Sequence, residues 1–72
     1  MHEIIVDEKI RHGKAIIKGT RITVDEVLGM LEGGMTYDEI EKEYDLKKDQ
    51  ILAVIKYASS FVRGEEVHQI PA

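Results

Sequence analysis

The chain has 72 residues, no cysteine, and 10 Lys and Arg against 14 Asp and Glu, for a net charge of −4. That length allows one domain, which buries only about 60% of the surface its unfolded form exposes. The composition excludes disulfides and thiolate metal sites, and there is no apolar run long enough for a membrane span. A soluble, cytoplasmic, marginally stable domain is expected, steadied by a further protein chain, most simply as a homodimer.

Along the chain, Glu3-Ile4-Ile5-Val6-Asp7 and Ala15-Ile16-Ile17-Lys18 are short, β-branched runs with His12-Gly13-Lys14 as turn material between them. They predict a small antiparallel hairpin, and a lone hairpin is barely stable in water, so it must pack on something. Thr23 followed by Glu26 is a capping-box pattern, which starts a helix at Val24. Val24, Val27, Leu28 and Leu31 keep helical spacing to about residue 32, and Gly33-Gly34 supplies a left-handed end. Thr36 followed by Glu39 repeats the device, so a second helix of about two turns starts at Tyr37. It carries Ile40 and Tyr44 on one face and Asp38 with Lys42 as an i,i+4 pair.

Asp45-Leu46-Lys47 interrupts the pattern, and Lys48 to Val62 then presents Ile51, Val54, Ile55, Ala58, Phe61 and Val62 as one broad apolar face. Gly64 is expected to end this third helix, dividing the chain into a domain over 1–64 and a C-terminal tail over 65–72. The fold class is therefore mainly α with a short N-terminal β-hairpin, a three-helix, helix-turn-helix-like bundle. Such a pair of helices occurs in many small bundles, and in DNA-binding ones the second lies in the major groove.

Charge is unevenly placed. Residues 9–24 hold Lys9, Arg11, Lys14, Lys18 and Arg21 with no acid, residues 35–46 sum to −4, and residues 47–64 sum to +3. Either solvated faces merely alternate, or cations are gathered for a polyanion. Around the third helix, Lys47, Lys48 and Lys56 can neutralise phosphates and Gln50 can pair with adenine, while Ala53 and Ser60 are small enough for close approach to a groove. Asp49 opposes this, and all of these are also ordinary surface-helix residues.

Lys18-Gly19-Thr20-Arg21-Ile22-Thr23 has too few glycines, and lacks the Gly-Lys-Ser/Thr, of a phosphate-binding loop. Thr20 has no nearby base that would make it a nucleophile. A corner is the reading that remains: Gly19 turns the chain, Ile22 enters the core and Thr23 caps the helix. Arg21 either ties strand to helix through Asp25 or Glu26, or contacts phosphate or a partner.

From Val6 to about Ser60 the chain resembles the small prokaryotic domain of unknown function four-hundred-thirty-three family. The likeness rests on Gly13-Lys14, on Ile17 to Val24, on Gly34, on the capped helix from Thr36 to Ile40, and on Leu46 ahead of a helix bearing Ala53 and Tyr57-Ala58. The resemblance implies an antitoxin that neutralises a PIN-like nuclease and represses its own operon by binding DNA. Two positions depart from the family pattern. Lys47 stands where Ser or Thr commonly caps the third helix, which weakens that helix start. Ala15 stands where relatives often have proline.

The candidate DNA-binding residues are thus Lys47, Lys48, Gln50, Lys56 and Arg21, and Val67 and Ile70, the apolar anchors of the tail, are the candidate toxin-binding residues. A competing reading drops DNA: Asp38, Glu39, Glu41 and Glu43 would mimic phosphate in the cationic site of a nuclease or other basic partner. No catalytic residue, cofactor or metal is assigned, since Glu39 and Glu43 lie on a charged face and His2, His12 and His68 lack zinc spacing.

Overall fold

The computed structural model describes residues 3–69, with side chains described to residue 62. Strands β1 (Ile4–Val6) and β2 (Ala15–Ile17) pair antiparallel in the register Ile4 with Ile17, Ile5 with Ile16 and Val6 with Ala15. Three helices follow, α1 (Val24–Glu32), α2 (Tyr37–Tyr44) and α3 (Lys48–Gln69). The hairpin is held by a shared core of Ile4, Ile17, Val24, Val27, Ile40, Leu46, Ile51 and Val54, to which every element contributes.

Both capping boxes form. Thr23 accepts from Glu26 N–H at 3.0 Å while Glu26 accepts from Thr23 N–H at 2.9 Å, and Thr36 and Glu39 repeat the exchange at 3.2 and 2.8 Å. Reciprocal bonds of this kind satisfy helix-start donors that would otherwise go unpaired. The end of α1 is a Schellman turn, with Gly34 N–H donating to Leu31 C=O and Met35 N–H to Met30 C=O, both at 3.0 Å. Gly34 takes φ +96°, which a side chain would strain. In α2 the stop is Asp45, left-handed at φ 53°, which swings Leu46 into the core.

The corner after β2 forms as expected. Thr20 N–H donates to Ile17 C=O at 3.0 Å with Gly19 at φ +82°, and the Thr20 hydroxyl donates to the same carbonyl and accepts from Ile22 N–H. The chain doubles back so that Ile17 N–H meets Ile22 C=O at 2.9 Å, placing Thr23 beside Ile16 at the mouth of α1.

Two expectations are corrected. Helix α3 continues past Gly64 to Gln69. An interior glycine costs a helix about 1 kcal/mol relative to alanine, which weakens a helix without breaking it. Residues 65–69 therefore belong to α3; Val67 lies in it, and Ile70 lies outside the described residues. On α2, Tyr44 shares the face of Ile40 but is 41% exposed, so Ile40 is the fully buried anchor. Secondly, among the described residues the one ion pair is Arg11–Glu26, and Asp38 with Lys42 forms none.

That ion pair secures an unusual segment. Arg11, His12 and Gly13 all take positive φ, at 52°, 59° and 79°, a single left-handed turn between the strands. Left-handed geometry costs a residue with a Cβ about 1–2 kcal/mol. Arg11 offsets this by a two-pronged pair to Glu26, both contacts at 3.1 Å, and by donating to Arg21 C=O at 2.9 Å. The strand-to-helix tie considered for Arg21 is thus made by Arg11, while the Arg21 side chain is exposed.

The Glu26 carboxyl is held below the usual carboxylate range, chiefly by the Arg11 guanidinium and then by Thr23 N–H. A depressed folded value means that its stabilisation is complete above the ordinary carboxylate range and is lost as the pH falls through the folded value. Both side chains are open to solvent by a third or more, so screening keeps the pair weak. At neutral pH, Glu26→Gln is expected to cost about 0.5–1 kcal/mol. The deficit should begin to shrink as the pH falls through the ordinary carboxylate range and vanish below the depressed folded value. Urea midpoints of both chains across that range check this, and a deficit that persists in acid would contradict the charge-based account.

Candidate nucleic-acid interface

The three residues Asp45, Leu46 and Lys47 join α2 to α3. Leu46 is 4% exposed and pins the turn, so the start of α3 is fixed relative to the core. Lys47 occupies the cap position of α3 and has no side-chain acceptor to offer. The vacancy is half filled from the other side: Gln50 Oε1 accepts from Lys47 N–H at 2.7 Å. This is one arm of a capping box, supplied by the third residue of the helix. The weakness anticipated at this helix start is therefore partly repaired by Gln50, whose amide oxygen is engaged with the backbone and not held free for a base.

Lys47→Ser separates the two roles of this position. Serine completes the reciprocal box with Gln50 and is expected to raise stability by about 1 kcal/mol. Deleting the cation removes one phosphate contact from the proposed interface, so the salt dependence of DNA binding should fall by about one unit of slope. A urea titration and a salt titration read the two effects independently.

Beyond the cap, α3 buries Ile51 and Val54 completely, which fixes the opposite side as the solvent face. Lys48, Asp49, Leu52, Lys56 and Ser60 lie on that side and are all exposed. Lys48 and Lys56 are eight residues apart, so they stand about 12 Å apart along the axis and within roughly 80° around it. Ser60 turns its hydroxyl onto Tyr57 C=O at 2.6 Å and presents little bulk. Lys48 and Lys56 thus share one exposed side of α3, with Asp49 as an acid beside them, and Lys47 is exposed at the cap.

Arg21 does not join them. It lines a separate groove of about 470 Å³ with Arg11, Ile22, Glu26, Met30 and Tyr44, and none of the three lysines borders that groove. The basic stretch over residues 9–24 is likewise divided, because Lys14 lines a different groove, described below. Three acidic residues of α2, Asp38, Glu39 and Glu43, are exposed, with Glu41 partly covered. Glu39 is committed to its capping box.

Sequence reasoning missed two features: the role of Arg11, and the exposure of Phe61 and Val62 at 58% and 54%. For the first no local signal existed, since Arg11 and Glu26 lie fifteen residues apart. The second was open to a length argument. A nine-residue α1 spans about 13.5 Å, and an apolar face running to Val62 on a 22-residue helix outlasts it. Among the described residues no helix is long and apolar enough to cross a membrane.

Comparison with known proteins agrees with this architecture. The crystal structure of Rv2018 from Mycobacterium tuberculosis is similar, with a TM-score of 0.65 and 25% identity over 72% of this chain. The match covers 24% of Rv2018, so this chain spans about a quarter of that protein's length. No curated protein matches the chain. The family model described as Protein of unknown function (DUF433) matches residues 4–58, from β1 into the third turn of α3, and the chain belongs to that family.

Proposed function

We propose that this chain is an antitoxin-like, DNA-binding regulator of a type II toxin-antitoxin pair, which represses its own operon and neutralises a PIN-like nuclease. The observation that carries the reading is the exposure of Lys48 and Lys56 on one side of α3, with Lys47 exposed at its cap, directly after a three-residue turn from α2. A helix so placed meets a duplex with its first turns, where its backbone N–H groups and the lysines both favour phosphate. Lys47, Lys48 and Lys56 are the phosphate-contacting residues. Gln50 acts mainly by holding the first turn, and Arg21 is a peripheral cation. The acidic total of the chain does not oppose this, because screening limits each charge to about 8 Å at physiological salt.

A gel-shift titration with the chain's own promoter region tests the DNA part. Binding is expected at low salt and should weaken steeply as salt rises. Folded protein that shifts no DNA at low salt would end this reading.

One observation favours a second reading, in which the chain docks a nuclease or other basic partner without DNA. The exposed carboxylates of α2, Asp38 and Glu43 foremost, project from a helix anchored by Ile40. Placed beside a duplex they repel phosphate; placed in a cationic cleft they substitute for it. Capture of a nuclease by a protein with no affinity for DNA would favour this version.

A further inference from the structure

A groove of about 470 Å³ runs between the β2–α1 corner and α3. Its floor is apolar, made by Ala15, Val24 and Leu28 on one side and by Tyr57, Ala58 and Phe61 on the other. Lys14 and Asp25 stand at its edges. Phe61 packs edge-on against Tyr57, with ring centroids 5.0 Å apart, yet more than half of it remains open to solvent, as does Val62 beside it. The surface thus combines a receptor and a projecting apolar knob in one patch.

We infer that this groove is the self-association surface of the chain, in which Phe61 and Val62 of one copy fill the groove of a second copy and receive the reciprocal contact. A two-fold interface uses the same patch on both partners, so it requires receptor and knob together, and that combination is what this patch offers. The edge charges obey the same symmetry: a two-fold that seats Phe61 in the opposite groove can bring Lys14 of each copy toward Asp25 of the other.

The chain does not cover the groove with its own helix. Helix α3 is continuous to Gln69, so the turns after Phe61 carry on along the axis instead of folding back over Leu28. The radius of gyration is 13.3 Å, against about 11 Å for a compact domain of this length, and the long dimension is 45 Å. A projecting helix of this kind enlarges a small core when it is laid against a copy. Each large aromatic buried removes about 150–250 Å² from water, and a stable interface takes roughly 800 Å² per partner. The exposed parts of Phe61 and Val62, doubled by the two-fold, supply the apolar centre of such an interface.

The inference is independent of the DNA reading. The groove-lining positions Tyr57, Ala58 and Phe61 lie on the side of α3 away from Lys56, so the dimer leaves that lysine uncovered. Phe61 and Val62 also fall beyond residues 4–58, the segment matched by the family model.

Sedimentation equilibrium on the full 72-residue chain tests it. The wild type should show twice the chain mass of 8.2 kDa at micromolar concentration. Phe61→Glu should raise the dimer dissociation constant at least 100-fold and return the monomer mass. Leu52→Glu, another exposed apolar position on the opposite side of the same helix, should leave the dimer intact. Should Phe61→Glu lose its helical circular dichroism, Phe61→Ala gives the same reading through a rise of tenfold or more. A wild type that remains monomeric at 100-fold higher concentration overturns the inference, as does an undiminished dimer in both Phe61 variants. Loss of DNA binding with the dimer preserved would count against the DNA reading alone.

Discussion

Lys48→Glu with Lys56→Glu is expected to lower the affinity for promoter DNA by about 100-fold or more at ~0.1 M salt. The two side chains lie on one side of α3, within roughly 80° around the axis, so a duplex that meets one meets the other. Each lysine that neutralises a phosphate releases condensed counterions, and each contributes about 0.9 to the slope of log affinity against log salt. Removing both should therefore lower that slope by about 1.8 per protomer. Reversal adds repulsion, which is why the loss exceeds that of the corresponding alanines. Both positions are exposed and make no side-chain hydrogen bond among the described residues, so stability should change little. Binding and urea titrations on the same preparations check this. Undiminished affinity would move the interface off α3, and the acidic face of α2 would become the leading surface for partners.

Replacing Ile40 by alanine is expected to produce the largest loss of stability. Ile40 is fully buried and is the one buried side chain of α2, the eight-residue helix that precedes the turn. An isolated helix of two turns is unstable in water, so α2 persists because Ile40 is packed among Val27, Leu46, Ile51 and Val54 in the core. Truncating a buried isoleucine costs about 2–5 kcal/mol, whereas a chain of this length has a total stability of only about 4–11 kcal/mol. The variant should be substantially unfolded near physiological temperature, with α2 the first segment to lose amide protection. A change below about 1 kcal/mol would show that α2 is held by its caps and not by the core.

Legibility in the sequence followed the range of the interactions involved. The boundaries of α1 and α2 are set within four residues by Thr23 with Glu26, Thr36 with Glu39, and Gly34. A side chain that bonds to the backbone three positions away carries its geometry in its spacing. The corner at Gly19 was legible for the same reason. The end of α3 was not, because glycine has two effects there, lower helix propensity and freedom to turn, and the local sequence does not rank them.

Sequence by itself determined the elements, their order, the apolar faces and the cationic residues of α3. Tertiary structure alone decided that Arg11 takes the carboxylate considered for Arg21, since that contact spans fifteen residues and depends on a left-handed turn. It also decided which half of the apolar face of α3 is covered. Periodicity reports that Phe61 and Val54 share a stripe, but burial depends on what stands opposite, and opposite Phe61 the start of α1 leaves an open groove. That groove is set by packing in three dimensions and is invisible to spacing along one helix.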